Sequence, residues 1–270
     1  MTETVRVRML VAYDGTDFRG FAVNEGVRTV AGELQVRLSA LCGVPVTLTC
    51  AGRTDAGVHG WGQVVSFDAP TDRFDPKRWT ASLNKQSGGV VVVRDIAQAA
   101  PDFDARFSAK WRRYRYTVLN RPIPDPFLRH TSWWMPAPLD IDAMNDAATR
   151  IVGEHDFASF CRRPERADGT PASLVRRILD ATWSAVEGEA ADGSGDVGGN
   201  DPRNGIVRLE ITATAFCHQM VRSLVGCMVD VGRGRRTPDD MARTLVAKDR
   251  ATASQPAPSV GLCLWEVGYD

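Results

Sequence analysis

The sequence predicts an α+β fold, in which mainly antiparallel mixed sheets carry helices on one side. Strand-like segments alternate apolar and polar residues, as residues 5–11 do, and this alternation is typical of sheets with one buried face. Segments of helical periodicity lie between these strands, and no repeat of short period is visible. The chain has 270 residues, 43% of them apolar, which is enough for two domains. We expect them to divide near residue 105, into residues 1–105 and 106–270.

In the first predicted domain, a strand begins at Val5 and ends at the turn-forming DGTD sequence. A helix follows from about Thr29, with Gly43 able to close its C-terminus. Alternation predicts strands at residues 44–50 and 63–67, and a helix near 76–84 precedes the apolar run at 90–96.

In the second domain, residues 112–118 alternate as a strand, and residues 140–152 carry a helical apolar stripe. Long strands are predicted at 174–187 and 206–216. Helices follow at 218–232 and after Thr237, an N-cap residue followed by proline, and a strand spans 260–269. The glycine-rich acidic stretch 188–205 is predicted to be a flexible insertion between two strands.

Composition excludes the simplest basic nucleic-acid binder, because lysine plus arginine equals aspartate plus glutamate at 33 each. The charges are nevertheless segregated, since residues 106–121 hold six bases and no acid while 187–201 hold five acids and no base. The N-terminal sequence lacks a signal-peptide pattern and no stretch is apolar enough to span a membrane, so we expect a cytoplasmic protein. The six scattered cysteines form no C-x-x-C pair and are expected to be reduced, mostly buried thiols.

Asp55 lies in the sequence CAGRTDAGVHG among glycines, which are used where backbone turns sharply or approaches another molecule. Arg53 is close enough in sequence to favour the ionised carboxylate, as a nucleophile or general base requires. An ordinary surface turn with an ion pair explains the same pattern. A metal site is not indicated, because His59 has no second ligand at suitable spacing. Asp14 and Asp17 of DGTD fit a turn as well as a carboxylate pair.

A second candidate region interleaves aromatic residues with the six cations of residues 106–121. Cations neutralise phosphates and aromatic rings stack on exposed bases, so this segment fits a folded or single-stranded RNA target. An amphipathic strand with its aromatic side chains in the core is the alternative. In a third region, His218 and Arg222 are one helical turn apart and lie off the apolar stripe.

Taken together, these motifs resemble those of the tRNA pseudouridine synthase A family. The matching stretches cover nearly the whole chain: YDGTDFRGF (13–21), CAGRTDAGVHGWGQVVSF (50–67), DFDARFSAKWRRYRYTVLN (102–120), GEHDFASFC (153–161), AFCHQMVRSLVGCMVDVGRG (215–234) and GLCLWEV (261–267). The resemblance implies a pseudouridine-synthase fold with an active-site cleft between two domains. It also implies isomerisation of uridine to pseudouridine at positions 38, 39 and 40 of the tRNA anticodon arm, without cofactor or metal, by a homodimer.

The resemblance assigns a role to each matching residue. Asp55 would be the catalytic aspartate, acting on a flipped-out base either as a nucleophile at C1′ or by abstracting a sugar proton. Arg53 would help to hold the flipped nucleotide, Tyr114 would pack on its base, Arg222 would pair with Asp55, and Leu262 would line the pocket. Further RNA contacts are expected from Arg112, Arg113, Arg115, His59 and His218.

Some positions depart from the family pattern. Phe21 replaces a usual tryptophan, AVNEG and NKQSGGVVVV differ from the usual segments, and the acidic insertion is long. Two other functions remain open on the sequence alone. One is an RNA-binding protein that keeps the fold without the activity, and the other is a metal-dependent phosphohydrolase built on Asp14, Asp17 and His59.

Overall fold

A computed structural model describes residues 3–162, 172–186 and 205–270. The predicted acidic insertion lies outside the described residues except for its last glycine. The elements are β1 (Thr4–Tyr13), α1 (Val30–Cys42), β2 (Thr49–Cys50), β3 (His59–Pro70), α2 (Pro76–Ser87), β4 (Val91–Gln98), β5 (Trp111–Leu119), β6 (Trp133–Trp134), α3 (Ile141–Thr149), β7 (Gly153–Asp156), β8 (Val175–Ala185), β9 (Ile206–Ala213), α4 (Met220–Gly232), α5 (Pro238–Ala247) and β10 (Leu262–Gly268). The predicted α+β class is confirmed. Among the helices of these ranges, none is both long and apolar enough to cross a bilayer.

The chain forms two compact units. The first contains Met1–Arg112 and Cys263–Asp270, and the second contains Arg113–Leu262. The division therefore falls within β5 rather than near residue 105, and the last strand belongs with the first unit. Composition cannot assign β10 to a unit, because its pairing with β3, about 200 residues earlier in the chain, is determined by packing.

In the first unit the strand order is β4-β1-β3-β10, and β2 pairs with β3. β1 is antiparallel to both neighbours, whereas β10 runs parallel to β3. Val7, Met9 and Val11 of β1 are fully buried in one core cluster with side chains of α1 and α2. Thr29 caps α1 by accepting from the Gly32 N–H, and Gly43 ends it in the left-handed region at φ 71°.

In the second unit the strand order is β5-β9-β8-β7, and β6 pairs with β5. β9 presents an alternating buried face to a core that includes Trp183 of β8, whose indole N–H lies 3.1 Å from the Met228 sulfur of α4. α5 begins after Thr237, the predicted N-cap, and the side chain of Asp240 completes a capping box with it.

Three sequence expectations need correction. The strand predicted at 44–50 is present only at Thr49–Cys50, because only these two residues pair with β3. The short strands β6 and β7 were not anticipated. Cys161 and Cys217, 56 residues apart in sequence, are joined by a disulfide, so the expectation of reduced thiols is wrong for this pair. The two cysteines meet through folding, which the sequence spacing cannot show.

Candidate functional site

Asp55 lies on the loop between β2 and β3, and its side chain is half-buried. The neighbouring Thr54 anchors the loop: its hydroxyl is 2.8 Å from the Tyr13 hydroxyl, and its carbonyl accepts from the Phe21 N–H at 3.0 Å. The Asp55 carbonyl accepts from the Val58 N–H at 3.1 Å, which closes a tight turn. The loop is therefore anchored to the core of the first unit through Thr54, and Asp55 is the next residue in the chain.

Glycines allow the segment after β1 to pass close to this loop. A Cβ atom on Gly15 would lie 2.0 Å from the Val58 carbonyl oxygen, and one on Gly20 would lie 3.0 Å from the Thr54 carbonyl oxygen. Gly20 also has φ +107°, which L side chains rarely adopt. The glycines of YDGTDFRGF thus serve to bring two backbones together, so the carboxylate loop is built from both motifs.

His59 is 8% exposed and packs between the Asp55 loop and the segment after β1. Its Nδ1 lies 3.1 Å from the Gly15 N–H, which donates to it. The Asp14 carboxylate lies 3.2 Å from the same Nδ1. Asp14 in turn accepts from the N–H and hydroxyl of Thr16, as a turn residue does.

These contacts assign Asp14 and His59 to the loop structure. Within residues 3–162, 172–186 and 205–270, no group of three or more His, Cys, Asp or Glu side chains is arranged to hold a metal ion. Arg53 is exposed on the same loop.

Arg112 is buried, in contrast to the phosphate contact predicted for it. It is 9% exposed, and its guanidinium donates to the carbonyl oxygens of Ala51, Ala109 and Arg106 at distances of 2.6 to 3.2 Å. The bonds to Ala51, the residue after β2, tie the start of β5 to the chain just before Asp55, and the other two hold the chain just before β5. We therefore assign Arg112 to the fold of the first unit.

Beyond Arg112, β5 alternates two kinds of side chain. Tyr114 is 8% exposed, with its ring at right angles to that of Phe216 and centroids 5.0 Å apart. Tyr116 is fully buried and its hydroxyl donates to the Pro258 carbonyl at 2.8 Å. Burial raises the pKa of Tyr116 strongly, against the opposing effect of the Arg222 charge. Tyr116 is thus a structural residue. Tyr114, by contrast, packs its ring against the ring of Phe216.

The opposite face of β5 carries Arg113 and Arg115, both half-buried. Arg113 donates to the Thr212 hydroxyl at 3.2 Å, and Arg115 forms an ion pair with Glu210 at 2.5 Å. The Glu210 carboxylate of β9 offsets the charge of Arg115, which weakens the attraction of Arg115 for a phosphate.

Arg222 extends from the first turn of α4. Its Nε donates to the Ala257 carbonyl at 2.7 Å, and the Ala257 N–H donates back to the Arg222 carbonyl at 2.9 Å. The segment of residues 255–258 is thus hydrogen-bonded to both the side chain and the backbone of Arg222. The close approach is possible because Gly226 lies opposite, where a Cβ would be 2.1 Å from the Gln255 carbonyl oxygen.

His218 and Leu262 occupy different environments. His218 is exposed just before α4, and its carbonyl accepts from the Arg162 N–H at 3.0 Å. Leu262 is 5% exposed and follows Gly261, at which a Cβ would meet the Tyr116 ring at 2.7 Å. Tyr116, Gly261 and the 255–258 segment therefore pack together within the second unit.

Sequence reasoning treated residues 106–121 as one basic segment and missed how folding divides it. Arg106, Phe107 and Lys110 are exposed, with Phe107 at 80% and the Arg106 guanidinium 5.2 Å from the centroid of the Phe107 ring. The Asp104 carboxylate holds this turn by accepting from the N–H groups of Arg106 and Phe107. An aspartate that accepts from the next backbone N–H groups is typical of a turn. The sequence DFDARF therefore predicts that Arg106 and Phe107 lie in a turn, apart from the strand that follows.

The structure groups the predicted residues into two sets. The first unit places Arg53 and Asp55 on one anchored loop and His59 at the start of β3, which follows that loop. The second unit brings Tyr114, Phe216, Tyr116 and Arg222 around the start of α4 and the 255–258 segment. One half-buried carboxylate on an anchored loop can act as a nucleophile or base, and a buried tyrosine ring can support a planar base.

Comparison with known proteins gives a consistent result. A family model described as "tRNA pseudouridine synthase" matches residues 9–108 and 147–270. The chain is 37% identical over 268 residues to a tRNA pseudouridine synthase A of Geobacillus kaustophilus, covering 99% of this chain and 95% of the relative. It is 41% identical over 276 residues to a tRNA pseudouridine synthase A of Streptomyces avermitilis, covering 98% and 88%.

Proposed function

The chain belongs to the tRNA pseudouridine synthase family, and from this premise we propose that Asp55 is the residue that acts on the sugar of a flipped-out uridine. As a member, the protein is an isomerase that converts uridine to pseudouridine in tRNA. We propose positions 38, 39 and 40 of the anticodon arm as its targets and a cytoplasmic homodimer as its working form. The anchored, half-buried position of Asp55 is the observation that supports the proposal.

The reaction explains why one carboxylate suffices. The bond from C1′ to N1 of uracil breaks, a bond from C1′ to C5 forms, and the proton lost from C5 is matched by one gained at N1. Glycosidases commonly use two carboxylates because a water molecule must also be activated. Here water must be kept out while the detached uracil turns, so the site needs one ionised carboxylate and a dry, aromatic surface.

The remaining residues receive supporting roles. Tyr114, backed by Phe216, would pack on the target base, and Leu262 would line the same apolar surface. Arg53 would hold the nucleotide out of the stack, at a cost of a few kcal/mol that phosphate contacts offset. Arg222, whose orientation is set by its bond to the Ala257 carbonyl, would pair with Asp55, as the family resemblance implies.

Undermodified tRNA transcripts test the proposal. We expect Asp55→Asn to lower the rate of pseudouridine formation at least about 100-fold, since the amide can neither attack nor accept a proton. Pseudouridine is mapped by carbodiimide-blocked primer extension, which also reports the positions modified. Asp72→Asn, an exposed turn aspartate of the same unit, is the matched control and should retain full activity.

The outcomes separate the alternatives. Equal product from Asp55→Asn and wild type would remove Asp55 from the chemistry. Modification outside positions 38–40 would contradict the proposed targets and leave the isomerase intact. Binding of tRNA by wild type without any product would favour the RNA-binding protein.

A further inference from the structure

The disulfide between Cys161 and Cys217 ends beside residues that the second unit contributes to the proposed site. Cys217 directly follows Phe216, whose ring packs at right angles to that of Tyr114 with centroids 5.0 Å apart. α4 begins shortly after Cys217 and carries Arg222 in its first turn. The bridge is therefore placed to fix the turn that lies between Phe216 and Arg222.

The other end of the bridge is anchored in the core of the same unit. Cys161 is 3% exposed, and the preceding Phe160 is fully buried. The hydroxyl of Ser159, which is also fully buried, donates to the Thr244 carbonyl of α5 at 2.6 Å. The disulfide thus ties Cys217, which is partly exposed, to a firmly packed segment.

The turn of residues 216–219 has a backbone conformation that its neighbours must hold in place. Gln219 lies in the left-handed region at φ 65°, which residues other than glycine rarely adopt. The Met220 N–H donates to the Cys217 carbonyl at 3.1 Å, and the Ser223 N–H donates to the Gln219 carbonyl at 3.0 Å. Because the bridge fixes Cys217, it helps to maintain this strained turn.

We propose that the Cys161–Cys217 pair is a thiol–disulfide exchange site, where reduction by a dithiol loosens the turn of residues 216–219 and slows isomerisation. Disulfides in a reducing cytoplasm are usually transient and redox-sensing, and this one lies next to the ring that backs Tyr114. The inference rests on the proposed function, which places Tyr114 on the target base and the protein in the cytoplasm.

The exchange takes place in two steps that balance. One thiolate of the dithiol attacks the sulfur of the partly exposed Cys217, the disulfide bond breaks, and Cys161 leaves as a thiolate that takes up a proton. The second thiolate of the dithiol then attacks its own mixed-disulfide sulfur and releases Cys217, which is also protonated. The protein gains two electrons and two protons, and the dithiol becomes a cyclic disulfide.

Opening the bridge loosens the turn and leaves the unit folded. The Arg162 N–H donates to the His218 carbonyl at 3.0 Å, a bond that does not involve sulfur. Leu224 and Val225 of α4 are fully buried, so packing continues to hold the helix. The expected change is therefore in the placement of Phe216 and Arg222, and in the rate that depends on them.

Wild type equilibrated in reduced or in oxidised dithiothreitol tests the site. Of the six cysteines, four should react as thiols in denaturant after oxidation and all six after reduction. We expect the single-turnover rate on undermodified tRNA to fall at least about fivefold on reduction, since misplacing a group by about 1 Å can cost about 100-fold. The amides of Met220 and Ser223 should exchange hydrogen at least about fivefold faster in the reduced protein.

Variants assign the effect to this bridge. Cys161→Ala and Cys217→Ala should each show the reduced-state rate in both buffers. Cys42→Ala is the matched control, because Cys42 is a buried free cysteine of the first unit, and it should keep the wild-type response. Circular dichroism checks that every sample is folded.

Several results would overturn the proposal: six thiols after oxidation, four thiols that persist in the reducing buffer, or equal rates or equal amide exchange in the two states. A response that is retained by Cys161→Ala would also overturn it. Amide exchange and thiol counts do not depend on activity. A wild type that makes no pseudouridine in either buffer would therefore contradict the proposed function and the predicted rate change, while exchange that still differs would show that the bridge controls the turn.

Discussion

The guanidinium of Arg112 donates to carbonyl groups of three different residues, two of them in the chain just before β5. Leaving a buried carbonyl without a donor costs about 1–3 kcal/mol. We therefore expect Arg112→Gln, whose shorter side chain cannot span these carbonyls, to lower the free energy of unfolding by at least about 2 kcal/mol in urea titrations. A change within about 0.5 kcal/mol would show that these bonds do not support the fold.

Arg106→Gln is the matched control for this prediction, because Arg106 is exposed six residues earlier in the same basic segment. Its stability should stay within about 0.5 kcal/mol of wild type. Arg112 and Arg106 lie in the same basic segment, but the buried Arg112 supports the fold whereas the exposed Arg106 is accessible to a binding partner. Sequence could locate both cations but could not say which of them faces inward.

Helices were predicted better than strand pairings, and the reason is the range of the interactions. The ends of α1 follow from Thr29 and Gly43, which act on backbone within one turn of themselves. β2, by contrast, depends on Ser66 and Val65 of β3 for its pairing, so alternation alone overestimated its length. The loop carrying Asp55 was found from its motif, whereas its anchor, the hydroxyl pair of Tyr13 and Thr54, joins residues 41 positions apart.

The contact between α4 and the 255–258 segment gives a prediction in which two effects oppose each other. In a free helix, replacing Gly226 by alanine would be stabilising by up to about 1 kcal/mol. Here the new Cβ would lie 2.1 Å from the Gln255 backbone carbonyl, so the segment must move. We expect Gly226→Ala to lower the free energy of unfolding by about 1–3 kcal/mol, as overpacking does. It should also lower kcat, because Ala257 orients Arg222.

Two measurements check this prediction. Urea unfolding gives the stability, and single-turnover kinetics on tRNA give the rate of the chemical step. Val36→Ala, at an exposed helix position on α1, should leave the rate unchanged and change the free energy of unfolding by no more than about 0.5 kcal/mol, the difference in helix propensity. A Gly226→Ala variant more stable than wild type would show that helix propensity outweighs the contact and that the segment does not press on α4.

The chain as a whole is electrically neutral, with 33 bases and 33 acids, yet its substrate is a polyanion. Affinity for tRNA must therefore come from locally exposed cations rather than from net charge. In the first unit, Arg106 lies near the exposed Phe107 ring and Lys110 is exposed three residues further along the chain, so this segment combines phosphate neutralisation with a surface for stacking. These residues are better candidates for RNA contacts than Arg112, which is buried, or Arg115, which Glu210 already pairs.

The salt dependence of tRNA binding tests this assignment. Each phosphate contact contributes about 0.7–0.9 to the slope of log K against log salt, because counterions are released on binding. The double variant Arg106→Gln/Lys110→Gln should therefore bind more weakly and with a slope smaller by about 1.5 between about 50 and 200 mM salt. Lys77→Gln/Arg78→Gln removes the same charge from exposed positions on α2 and serves as the control. Equal slopes for the two double variants would mean that overall charge governs binding, whereas a smaller slope for the first alone places the footprint at residues 106–110.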